Sequence, residues 1–145
     1  MTDSLPLEDA EVRAVSTACE VIGDRWSLPV VAALLDGPLR YTELRERLPA
    51  IAPNILSARL LALEQEGLVV SSRYSARPPR FEYRLTPDGA ALADAARLLG
   101  AWATGRAGAP GAVIHDVCGA ALEARWWCPS CHDLADPSGE DTILA

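Results

Sequence analysis

Lysine is absent from this sequence of 145 residues; all 13 basic side chains are arginine. Histidine is scarce, with two copies, His115 and His132, both beside cysteines. No Ser–His–Asp set, paired-acid cleft or glycine-rich phosphate loop is present, so an enzyme is not expected. No apolar run approaches the roughly 20 residues that span a bilayer, which excludes a membrane helix. Residues 1–11 are acidic and lack the basic and apolar stretches of a secretory signal, so the cytoplasm is the expected compartment. A wholly disordered chain is excluded as well, because 50% of residues are apolar and 23% charged. The length predicts one domain with at most a small appendage.

An excess of positive charge is also missing. The formal net charge is −7, the wrong sign for a nucleic-acid binder, but it is unevenly spread. Residues 1–18 sum to −3 and residues 85–145 to −5. Residues 19–84 carry nine arginines against eight acids and sum to +1. The middle of the chain can therefore offer phosphates a local basic surface while the ends stay acidic.

What is present in that middle is helical periodicity broken by turn residues. Val12, Val15, Ala18, Cys19 and Ile22 recur at three and four, which predicts a helix over 10–22. Gly23-Asp24 separates it from a more apolar helix over 26–35, with Ser27 as its cap and Pro29 in its first turn. Asp36-Gly37-Pro38 stops that helix. After a short segment, 39–41, a helix over 42–48 follows, capped by Thr42 and burying Leu44 and Leu48. A longer helix starts at Pro53 and ends at Gly67. Ile55, Leu56, Leu60 and Leu63 are its inward face; Asn54, Ser57, Ala58 and Leu61 are left outside. The period then changes to two. Residues 68–74 and 81–85 read as strands of a hairpin, its arginine-bearing tip kept out of a central ladder by Pro78 and Pro79. Thr86-Pro87-Asp88 opens a last helix striped by Leu92, Ala95, Leu99 and Trp102.

Helix, helix, short helix, turn, longer helix, hairpin, helix is the order of a winged helix-turn-helix, mainly α with a small β-hairpin wing. An α-helix fits the major groove of B-DNA, so the helix from Pro53 can offer the polar residues of its first turns to base edges. Asn pairs two-pronged with adenine, and Ser serves bases or phosphate. Arginines on a hairpin suit a narrow minor groove. The candidate DNA-binding residues are Arg40, Thr42, Arg45, Pro53, Asn54, Ser57, Arg59, Arg77 and Arg80. Taken singly, each arginine is more often ordinary solvated surface; their joint placement on one docking motif is the argument for DNA.

The stretches Ile22-Gly23-Asp24-Arg25-Trp26, Leu35-Asp36-Gly37-Pro38-Leu39-Arg40-Tyr41, Thr42-Glu43-Leu44, Leu56-Ser57-Ala58-Arg59-Leu60, Leu63-Glu64-Gln65-Glu66-Gly67-Leu68-Val69 and the run from Arg77 to Gly89 carry a resemblance. Over about residues 12–103 the chain resembles the HxlR-type family of bacterial winged-helix regulators. The resemblance implies a homodimeric regulator of double-stranded DNA, a repressor or in some members an activator, with the flanking helices at the dimer interface. It places Ser57 and Arg59 on the recognition helix and Arg77 and Arg80 in the wing. Ala52 stands where members carry a Ser or Thr cap, at a cost on the order of 1 kcal/mol. Val12 stands where some members carry a sensing cysteine, and Cys19, on the apolar stripe, reads as buried and inert. The apolar stripes of the first and last helices also exceed what one small winged helix buries, which supports a two-fold partner. Thiol or ligand sensing, through the cysteine cluster or a small-molecule effector in a dimer cavity, and a protein-interaction module are the alternatives.

Residues 1–8 read as a tail, 9–104 as the winged-helix and dimerisation domain, 105–111 as a linker by composition, 112–134 as zinc-binding knuckles and 135–145 as an acidic tail. His115-x-x-Cys118 and Cys128-x-x-Cys131 are two ligand pairs nine residues apart. Spacing of this kind lets each tight turn aim two side chains at one tetrahedral Zn²⁺, a closed and structural site in a zinc-ribbon-like appendage. His132 is a substitute for His115. A redox-active Cys128–Cys131 pair and plain free thiols are the competing readings.

Overall fold

The computed structural model describes residues 7–106 and 113–135. The expected acidic end beyond Ala135, most of the expected linker and the first six residues lie outside the described residues. The chain divides into two compact units, residues 1–97 and 98–145.

In the first unit, α1 (Leu7–Ile22) starts earlier than its apolar stripe suggests and precedes α2 (Ser27–Ala33). Ser27 does not cap α2. Its N–H and that of Trp26 point at Asp24 Oδ1, at 3.1 and 2.8 Å, and its buried hydroxyl also bonds to the Asp24 carboxylate. The upstream carboxylate takes over because Ser27 is buried and already inside the first turn. A two-residue strand, β1 (Leu39–Arg40), leads into α3 (Tyr41–Arg47). The expected Thr42 cap is replaced too: Glu43 Oε2 reaches back to accept the Arg40 N–H at 2.6 Å, the reciprocal half of a capping box. Then comes α4 (Pro53–Gln65), whose first helical residue, proline, needs no partner for a missing N–H.

The wing consists of β2 (Val69–Ala76) and β3 (Pro79–Leu85), antiparallel, with a register shift between Arg73 and Ser75. Their ladder runs further than the prolines suggest, through Ser75↔Arg80 to Ala76↔Pro79, leaving Arg77 and Pro78 as the turn. Pro79 is tolerated as the first residue of its strand, paired on one side only. The segment 39–41, unassigned by pattern, contributes β1, which pairs through Leu39↔Tyr83 and Arg40↔Glu82 and makes the sheet order β1-β3-β2.

The core joins α2 and its C-cap (Val30, Val31, Leu34), α3 (Leu44), α4 (Leu56, Leu60, Leu63) and the entrance to β2 (Leu68, then Val69), with Ile51 from the turn before α4. Ile55, expected inside, is at the rim and 40% exposed. The single helix expected after Thr86 is two: α5 (Pro87–Ala91) and α6 (Ala93–Arg106), broken at Leu92. Thr86 caps α5 as expected, accepting the Gly89 N–H at 3.1 Å. The second unit contains β4 (Trp126–Cys128) and β5 (Asp133–Ala135), an antiparallel pair, and an isolated bridge Ile114↔Ala121.

Candidate nucleic-acid interface

The outward face of α4 follows from its inward one. Leu56, Leu60 and Leu63 bury one side. At about 100° per residue, Asn54, Ser57, Ala58 and Leu61 then point away from it. Asn54, Ser57 and Ala58 are exposed, and Leu61 is 56% exposed. Ala52 makes no side-chain cap, so the first N–H groups of α4 keep their capacity for an outside acceptor.

Three contacts tie this helix start to its neighbours. Tyr41, the first residue of α3, donates its phenol to the Pro53 carbonyl at 2.9 Å. The Ser57 hydroxyl lies 3.2 Å from Tyr41 Oη and 3.1 Å from the same carbonyl. Arg40 sits over the Tyr74 ring of β2 at 4.8 Å from its centroid, which connects the start of α3 to the wing. Neither tyrosine was marked by periodicity, because each acts through a partner far along the chain. An aromatic at the first position of a short helix is the only local sign.

The candidate residues fall into two groups. Arg40, Thr42, Arg45, Pro53, Asn54, Ser57, Arg77 and Arg80 are exposed. Arg73, on the β2 strand and missed by pattern, is exposed with them. Among the described residues none of Arg45, Arg73, Arg77 and Arg80 forms an ion pair. Arg59 stands apart. It lies about 140° around α4 from Asn54, and its guanidinium pairs with Asp24 at 3.0 Å, both side chains under 30% exposed. Its Nε is buried without a hydrogen-bond partner. The structure thus turns Arg59 inward, to lock α4 against the start of α2. Burial pushes the Asp24 carboxyl up, but the Ser27 hydroxyl, the N–H groups of Trp26 and Ser27 and the Arg59 charge outweigh it and hold it below 3.8.

Cys19, expected to be buried, is exposed on α1. Val12 and Val15 of the same helix are 66% and 59% exposed. Among the described residues the first part of the stripe stays uncovered, whereas Ile22 at its end is partly buried and packs against the core.

A bare polar helix start, braced by a second helix and flanked by an arginine-bearing hairpin, is a DNA-docking module in shape. The HxlR-like helix-turn-helix family profile matches residues 21–109. The chain belongs to that family. An uncharacterized HTH-type transcriptional regulator of Methanothermobacter thermautotrophicus is 38% identical over 82 residues, 57% of this chain and 63% of the relative. The match therefore spans less than two thirds of that relative's length. The regulator Mb3122 of Mycobacterium bovis, also uncharacterized, is 34% identical over 125 residues, 83% of this chain and 78% of its own. Among solved structures, the redox regulator HypR in its reduced form superposes with a TM-score of 0.61 at 30% identity, covering 65% of this chain and 93% of that one. The HxlR-like match ends before the Cys/His segment.

In that segment His115 Nδ1 and Cys118 Sγ lie 3.2 Å apart. The N–H groups of Cys131 and Ser130 and the Cys131 thiol lower the Cys128 thiol below its ordinary 9.0. None of the four cysteines is in a disulfide. Among the described residues, no three His, Cys, Asp or Glu side chains come together as one metal-holding group; two pairs are formed instead. No described helix is long and apolar enough to cross a membrane.

Proposed function

We propose that this HxlR-like chain is a sequence-specific, double-stranded-DNA-binding transcriptional regulator, a repressor, that acts as a homodimer. The observation that carries the reading is the outward start of α4, with Asn54 and Ser57 exposed and the cap left open. In use, α4 enters the major groove end-on. Asn54 reads a base edge, and Ser57 serves a base or a phosphate. The uncapped N–H groups and Arg45 take phosphates. Arg77 and Arg80 of the wing reach an adjacent minor groove or backbone. A two-fold partner repeats α4 about 34 Å away, one turn of DNA. Arg59 is assigned a supporting part only, because Asp24 holds it.

The test is binding to the DNA upstream of the chain's own gene as salt is varied. Affinity should fall with a log–log slope near −0.9 per phosphate contacted. Arg80→Ala should weaken binding to every sequence and reduce that slope by about 1. Asn54→Ala should cost about 1–3 kcal/mol at particular base pairs only. Binding that ignores salt, or no binding, would favour a protein-interaction module.

A further inference from the structure

The two Cys/His turns of the second unit are built alike. In the first, the Gly119 N–H donates to the His115 carbonyl at 2.8 Å; in the second, the His132 N–H donates to the Cys128 carbonyl at 2.9 Å. In each, the residue that closes the turn is left-handed, with φ +72° at Gly119 and +54° at His132. A left-handed φ is ordinary for glycine but uncommon for other residues, so the second turn holds His132 in a conformation the first assigns to glycine. Each turn also closes an antiparallel pairing. The first follows Ile114↔Ala121, with the Leu122 N–H on the Val113 carbonyl at 2.7 Å; the second lies between β4 and β5. The result is two hairpin tips, each with a ligand at its first and fourth residue and a left-handed fifth.

We propose that the second unit is a zinc ribbon in which His115, Cys118, Cys128 and Cys131 hold one Zn²⁺ between these two tips. The 3.2 Å separation of His115 Nδ1 and Cys118 Sγ is close to the roughly 3.5 Å between a nitrogen and a sulfur ligand on a tetrahedral zinc. The geometry also decides between the histidines. His132 occupies the turn-closing place equivalent to Gly119, outside the ligand pair, which leaves His115 as the nitrogen ligand.

The need for an ion follows from what the segment cannot do for itself. Its strands are three residues long. Trp126, Trp127, Leu122 and Leu134 are all more than half exposed. Below about 40 residues a fold without a buried core needs a disulfide, a metal or a partner chain, and no disulfide joins these cysteines. One ion bound by both tips would draw the two pairs into a single four-ligand set. The inference stands independently of DNA binding.

Full-length protein prepared without chelator should contain one zinc per chain by elemental analysis. Cobalt in its place should show the intense visible bands of a tetrahedral, thiolate-bound ion. Losing a group that merely orients a ligand costs about 10–100-fold in metal affinity; Cys118→Ser and His115→Ala should cost no less. His132→Gly should keep the full zinc content. Unchanged DNA binding by Cys118→Ser would show that the first unit of that variant is folded. Metal-free wild-type protein, an octahedral cobalt spectrum, or zinc lost in His132→Gly but kept in His115→Ala would overturn the assignment.

Discussion

The carboxylate of Asp24 accepts the N–H groups of Trp26 and Ser27 and the Ser27 hydroxyl, and pairs with Arg59 from α4. Half of this was legible in the chain, since Gly23-Asp24 reads as punctuation before a helix. The Arg59 half was not, because an arginine on a recognition helix looks the same whether it faces DNA or a carboxylate contributed by a distant turn. Asp24→Asn keeps an oxygen acceptor but loses the charge; it should destabilise the fold by about 1–2 kcal/mol at pH 7. The sign with pH follows from a lowered native pKa. The charge-dependent stability is complete above the unfolded value of 3.8 and is lost as pH falls through it toward the lower native value. Urea midpoints for wild type and Asp24→Asn should therefore converge as pH drops below about 4. A gap that stays constant with pH would detach the charge from stability.

At the scale of elements, most boundaries came from local chemistry. Pro53 starts α4, Thr86-Pro87 starts α5, and alternation marks β3. Contacts between elements were less readable. β1 has two residues, too few for any period, and exists because Tyr83 and Glu82 of β3 offer it a ladder. The break at Leu92 has no glycine or proline to announce it. Gly89 is a second case. A Cβ there would overlap the carbonyl oxygen of Leu68 and lie 2.9 Å from its carbon, so α5 is pressed against the entrance of β2. Gly89→Ala should cost about 1–3 kcal/mol as the helix is pushed off that strand, despite alanine's better helix propensity. A denaturation midpoint at or above that of wild type would show that α5 yields without cost.

The whole molecule raises the question of its partner. Val12 and Val15 on α1, and separately Leu99 and Trp102 on α6, are large apolar side chains about half or more exposed. Full burial of such a side chain is worth about 1.5–3 kcal/mol, a clear incentive for the proposed two-fold association. Val15→Asp should shift sedimentation from dimer to monomer and weaken operator binding, because one protomer then contributes one recognition helix. A dimer that survives the change would move the interface away from α1. The sequence by itself determined the order and type of the main elements, apart from β1 and the break at Leu92, together with the winged-helix class and the outward polar start of α4. Those properties rest on periodicity, caps and turn residues, which act between near neighbours. The tertiary structure alone decided that Arg59 turns to Asp24, that Tyr41 and Tyr74 tie the start of α3 to α4 and to the wing, that Cys19 is open, and that two Cys/His turns share one geometry. Each of these depends on which distant residue arrives opposite, and no local pattern records that.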